Sequence, residues 1–109
     1  MRATGWNNGS CSASGAGYGL RVSREDRDRY FDATWEQALF HLDGETVVIA
    51  RLSPSFWRSC SELRSAELGK WFRHHGVAPW PKGRPPELEI RPMGGNRFSV
   101  DIVGIGDNL

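Results

Sequence analysis

The stretch from Ser53 to Pro86, SPSFWRSCSELRSAELGKWFRHHGVAPWPKGRPP, constrains the fold more than any other part of the chain. It holds three of the five tryptophans (Trp57, Trp71 and Trp80) and two of the five phenylalanines, so the core must draw on it. A helix is written into its middle. Ser61 and Ser65 are candidate N-caps, because a serine hydroxyl accepts a hydrogen bond from the unpaired amides of a first turn, and Glu67 suits the positive end of the dipole. Leu68, Trp71 and Phe72 recur at i, i+3 and i+4, which puts them on one face, and that face must be buried. Arg73, His74 and His75 fill the last turn; Gly76 is placed to end the helix in the left-handed conformation, so that Val77 folds back onto Phe72. Upstream, Pro54 suits the first position of a short turn with Phe56, Trp57 and Cys60 inward. Downstream, Pro79, Pro81, Pro85 and Pro86 push residues 78–86 toward extended conformations, which predicts a stiff strap.

The flanking segments read as strands and one more helix. Residues 1–16 are rich in Gly, Ser and Asn without periodicity and are expected to form a flexible tail, in which Trp6 stands out as a side chain that either docks or is simply exposed. Tyr18, Leu20 and Val22 alternate with small or polar residues, as in a strand. Ser23 opens a capping pattern with Asp26, and a short charged helix follows, ending in Tyr30 and Phe31. Arg24, Arg27 and Arg29 in it are expected to form a solvated face with Glu25, Asp26 and Asp28. From Trp35 to Leu52 a hairpin is predicted around a two-residue Asp43-Gly44 turn, pairing Phe40 with Val47 and Ala38 with Ile49. A second hairpin joins Leu88 and Ile90 to Phe98, Val100 and Ile102 through Met93-Gly94-Gly95-Asn96. The reading is therefore an α+β fold with a bent, partly barrel-like, mainly antiparallel sheet of about five strands and two short helices. At 109 residues there is room for one domain, placed at 17–103, with residues 104–109 as a C-terminal tail.

Charge is uneven although the net value is only +1. Residues 1–52 carry 6 Lys+Arg against 7 Asp+Glu, whereas residues 58–84 carry 6 against Glu62 and Glu67. A local excess of this kind can make a binding face on a near-neutral protein. Cys11 and Cys60 form neither a disulfide framework nor a metal spacing, and reduced thiols, no leader and no long apolar run point to a cytoplasmic protein with no membrane partner.

No catalytic signature emerges. Cys60 with His74 or His75 is the one nucleophile and base combination to weigh, yet an apolar setting between Trp57 and Leu63 favours an inert thiol. Adjacent histidines diverge on a helix, so they do not make the i, i+4 pair of helical zinc sites. Gly15-Ala16-Gly17-Tyr18-Gly19 precedes a strand instead of joining a strand to a helix, which suits a flexible lead-in and not a phosphate loop. No cofactor, metal site or catalytic residue is assigned. A binding surface is the stronger idea: Arg58 and Arg73 beside the main helix, Lys82 and Arg84 on the strap next to Trp80, and Arg97 near the second hairpin combine phosphate-neutralising cations with an aromatic able to stack on a base.

The motifs FWRSCSELRSAELGKWF, APWPKGRPPELEI and GGNRF, together with Gly17-Tyr18-Gly19, resemble those of a family of small, largely uncharacterised bacterial proteins over residues 17–100; the resemblance implies no activity. In element order the chain is also similar to DNA-binding pseudobarrel domains. That similarity implies two short helices plugging an open barrel, loops on one side entering the major groove, and seven strands where five are expected here. The expected function is accordingly a non-enzymatic module whose partner is duplex DNA. The alternative is a protein-interaction module, an inhibitor or accessory subunit, with Trp80, Trp6 and the arginines as its hot spot.

Overall fold

A computed structural model of the chain describes residues 1–9, 13–43, 46–58 and 61–104. The strands are β1 (Arg2–Asn7), β2 (Tyr18–Arg21), β3 (Gln37–His41), β4 (Val47–Arg51), β5 (Glu62–Arg64), β6 (Glu87–Pro92) and β7 (Arg97–Gly104); the helices are α1 (Arg24–Tyr30), α2 (Pro54–Arg58) and α3 (Ala66–His74). All seven strands join one sheet in the order β4-β3-β7-β6-β1-β2-β5. Its ladders are antiparallel except β3 with β7. The two end strands, β4 and β5, lie in contact with no ladder between them, so the sheet curls into a nearly closed barrel with an open seam.

Local chemistry explains the helices. Ser23 Oγ accepts from Asp26 N at 3.1 Å and caps α1; Ser65 Oγ accepts from Leu68 N at 3.2 Å and caps α3. Leu68, Trp71 and Phe72 are buried, Gly76 ends the helix at φ 73°, and Val77 N donates to Phe72 O at 3.0 Å. The predicted turn at Pro54 is a full helical turn, α2, with Phe56 buried beneath it. Phe31, Phe40, Phe56 and Phe98 pack under α1 and α2, with Phe31 stacked on Phe98 at 4.9 Å and Phe40 on Phe98 at 5.7 Å. Tyr18, Phe72 and Trp80 form a second aromatic group beside α3.

Four expectations are corrected. Residues 2–7, expected in the tail, are β1, held between β6 (Ala3↔Leu88) and β2 (Gly5↔Leu20). Lacking an apolar alternation of its own, this segment is a strand because both neighbours offer it a ladder. The short β5 lies where the run-up to α3 was expected, and buries Leu63 against Leu20 of β2. Arg27 is not solvated: it is 7% exposed, its Nη1 donates to Phe56 O at 3.0 Å and its Nε to Asp28 Oδ1 at 2.9 Å. The guanidinium thus ties α1 to α2, with the Trp57 ring 5.9 Å from it.

The fourth correction is the register of the first hairpin. Phe40 pairs with Val48 and Ala38 with Ala50, one residue from the expected pairing. Leu42 N donates to Thr46 O at 2.9 Å and Thr46 N to Asp43 O at 3.0 Å, so three residues connect the strands instead of two. A one-residue slip exchanges the two faces of β4. Val48 and Ala50 therefore enter the core opposite Phe40 and Ala38, and Ile49 is left 56% exposed. The second hairpin is formed as expected by β6 and β7, and sets Ile90 opposite Val100 and Leu88 opposite Ile102. Residues 105–109 of the expected C-terminal tail, Cys11, Gly44 and Cys60 lie outside the described residues.

Candidate nucleic-acid interface

Strands β1, β2 and β5 lie side by side, and their outward residues form a ledge. Leu20 and Leu63 point into the core, which leaves Gly19 and Arg21 of β2 and Glu62 and Arg64 of β5 on the outer face. The register sets Trp6, Gly19 and Arg64 in one row and Thr4, Arg21 and Glu62 in the next. Gly19 has no side chain to stand between its neighbours, so Arg64 reaches across it and lies 5.0 Å from the Trp6 ring. An exposed cation over an indole contributes about 0.5–1 kcal/mol, and here it fixes both side chains in one orientation.

Arg21 Nη2 is hydrogen-bonded to Glu62 Oε2, which orients that guanidinium along the ledge. Where β4 and β5 meet, Arg51 and Arg64 line a seam cavity of 340 Å³ with Ser53, Ser55 and Glu62. The ledge thus carries Arg21 and Arg64, with Arg51 of β4 at its edge, against Glu62, which is already engaged by Arg21. Its positive excess is local, in keeping with the small net charge.

At the other margin the strap runs beside the end of β1, tied by Gly5 N donating to Pro86 O at 2.9 Å. Trp80 and Lys82 line a groove there together with Trp6, Asn7 and Arg21. Trp80 is half-buried, edge-on to Tyr18 at 5.4 Å and to Phe72 at 5.7 Å, so the strap is anchored to the core by its indole. Lys82 is exposed.

The other expected residues do not line this groove. Arg58 is exposed at the C-terminal end of α2, Arg73 is exposed on α3, and Arg84 N donates to Pro81 O at 3.0 Å in the strap turn. Arg97, on β7, donates from Nη1 to His41 Nε2 at 3.2 Å; β6 and β1 separate that strand from β2. Sequence reading missed Arg21, Arg51 and Arg64. The polar-apolar-polar order of Glu62-Leu63-Arg64 was the signal for β5, and it is short enough to pass as a helix approach.

A separate polar cluster fastens α3 to the first hairpin. Trp71 Nε1 donates to Asp43 Oδ2 at 2.8 Å, and His75 Nε2 lies 2.5 Å from the same oxygen. The Trp71 hydrogen bond first, then that of His75, holds the Asp43 carboxyl below the usual carboxylate range. A folded-state value below the unfolded one contributes stability above the unfolded pKa of about 3.9, and that contribution disappears as pH falls through the lowered value. Asp43→Asn is therefore expected to flatten the acid limb of a melting temperature against pH curve below about pH 4. An acid limb identical to that of the wild type would exclude the carboxylate as its source. Among the described residues no group of three or more His, Cys, Asp and Glu side chains is placed to hold a metal ion, and no helix is long and apolar enough to cross a membrane.

Fold and surface together define an α+β, nearly closed seven-stranded barrel that carries a basic and aromatic ledge across β1, β2 and β5. Comparisons with protein-family models, with curated proteins and with solved structures found no match.

Proposed function

We propose that this protein is a small, non-enzymatic DNA-binding module that seats duplex DNA on the outer face of β1, β2 and β5. The observation that carries the reading is the Arg64–Trp6 pair, 5.0 Å apart across Gly19 and flanked by Arg21 and by Arg51 at the seam. Guanidinium groups suit both tasks of such a face, since they neutralise phosphates and read guanine edges. The architecture supports the same reading. The pseudobarrel DNA-binding domains that the sequence resembles in element order have seven strands and two short helices; this sheet has seven strands, and beside α1 and α3, of 7 and 9 residues, stands the single-turn α2.

The test is a titration with a duplex, followed by tryptophan fluorescence at several salt concentrations. Arg51 and Arg64 on phosphates, with Arg21 engaged by Glu62, predict a log–log salt slope of about −2. Arg64→Ala is expected to weaken binding and to reduce that slope by about one. Absence of saturable binding, or binding indifferent to salt, would remove the proposal.

The second reading, a protein-interaction module, draws on a different surface. Ile49 is 56% exposed and lines a groove of 540 Å³ with Trp35 and Trp57, both half-buried. A protein partner that is retained by the wild type and released by Ile49→Asp, without duplex binding, would put this reading first.

A further inference from the structure

The groove between the end of β1 and the strap has a volume of 570 Å³ and two indoles in its lining, Trp6 and Trp80. That size falls in the range of roughly 300–1,000 Å³ that holds a small organic ligand. Its charged lining residues are Arg21 and Lys82, with no carboxylate among the described residues that line it. Both indoles are held in place by neighbours: Trp80 by Tyr18 and Phe72, Trp6 by Arg64. Gly5 lets the strap lie this close, since a Cβ there would stand 2.8 Å from Pro86 and 3.0 Å from the Trp80 ring. A site with flat apolar faces, cations and no acid complements a molecule that is planar at one end and anionic at the other.

Paired bases inside a duplex stack on one another and have no free face to offer an indole, so a duplex lying on the ledge cannot itself use this groove. A base that has left the stack can. We infer that the groove receives one unpaired nucleotide, its base against Trp6 and Trp80 and its phosphate against Lys82, Arg21 being engaged by Glu62. The inference rests on the DNA-binding reading and adds to it a preference for duplexes that contain an unpaired base.

Two labelled duplexes of one sequence, fully paired or carrying a central single-nucleotide bulge, are compared by fluorescence anisotropy at one salt concentration. The wild type is expected to bind the bulged duplex about fivefold or more tightly, the gain expected from one stacked base. A 2-aminopurine at the bulge should be quenched on binding. Lys82→Ala, a change at an exposed residue, is expected to reduce the preference without abolishing it and to leave affinity for the paired duplex within about twofold, whereas Arg64→Ala weakens both duplexes together. Equal affinity of the wild type for the two duplexes would overturn the inference and leave the duplex reading standing. Binding of neither duplex would overturn both. Saturable binding of dTMP without binding of either duplex would make the ligand a free nucleotide and overturn the inference in its nucleic-acid form.

Discussion

Gly69→Ala is expected to destabilise the protein, although intrinsic propensity alone would favour alanine within a helix. In an exposed helix interior the exchange gains about 1 kcal/mol. Gly69 is buried in the middle of α3, and a Cβ there would stand 2.3 Å from Gly15 O, 2.7 Å from Gly15 Cα and 2.8 Å from Gly15 C. These are backbone atoms, which cannot swing aside as the tip of a side chain can. Overpacking of this kind costs about 1–3 kcal/mol or more, so the net effect should be a loss. For a domain of this size each kcal/mol lowers the melting temperature by about 4–8 °C. Gly15→Ala should be worse, because its Cβ would lie 2.0 Å from Ala66 O and its φ is 91°. Thermal melts of the two variants check this. A melting temperature equal to or above that of the wild type would show that the β1–β2 connection does not rest on α3. The contact seats Gly15, just ahead of β2, against α3.

The same contact shows where sequence reading stops. Gly15 and Gly17 read as a flexible lead-in because glycine permits mobility; at Gly15 it instead permits two backbones to touch. What was legible rests on local rules. The Ser23 and Ser65 caps, the buried face of Leu68, Trp71 and Phe72, and the β6–β7 pairing follow from chemistry within a few residues. What was not legible depends on partners far along the chain. β1 has no apolar alternation and exists because β6 and β2 flank it; β5 is three residues long and is fixed by Leu63 against Leu20. The hairpin was recognisable as a hairpin, but the extra turn residue that exchanges Val47 and Ile49 for Val48 and Ala50 was not. The site divides in the same way. The prolines announced a strap bearing Trp80 and Lys82, whereas the Trp6–Arg64 pair joins residues on different strands through a register that no local pattern encodes.

Gly19→Ala is expected to impair stability and the proposed duplex binding together, and by more than any single change of a ledge cation. A Cβ at residue 19 would lie 2.0 Å from Leu63 O and 2.9 Å from Arg64 Cα, both in β5. Among the described residues β5 is held to the sheet by its ladder with β2, and β4 on its other side offers no ladder. The strand must therefore move away from β2. Leu63, fully buried, then loses its close fit, and a loss of about 2–3 kcal/mol follows from overpacking and disrupted core contact. Arg64 moves with the strand and away from Trp6, the Arg21–Glu62 pair is broken or reset, and the seam cavity changes shape. Duplex affinity should fall further than for Arg64→Ala, with a shallower salt slope, when measured well below the melting temperature on protein whose far-UV circular dichroism still matches the wild type. The combination separates a displaced strand from an unfolded chain. If Gly19→Ala melts and binds like the wild type, then β5 does not approach β2 at this position and the Arg64–Trp6 pair cannot be what holds DNA. If it melts lower but binds normally, the barrel depends on Gly19 while the DNA-binding surface lies elsewhere, and the exposed groove beside Ile49 becomes the surface to test next.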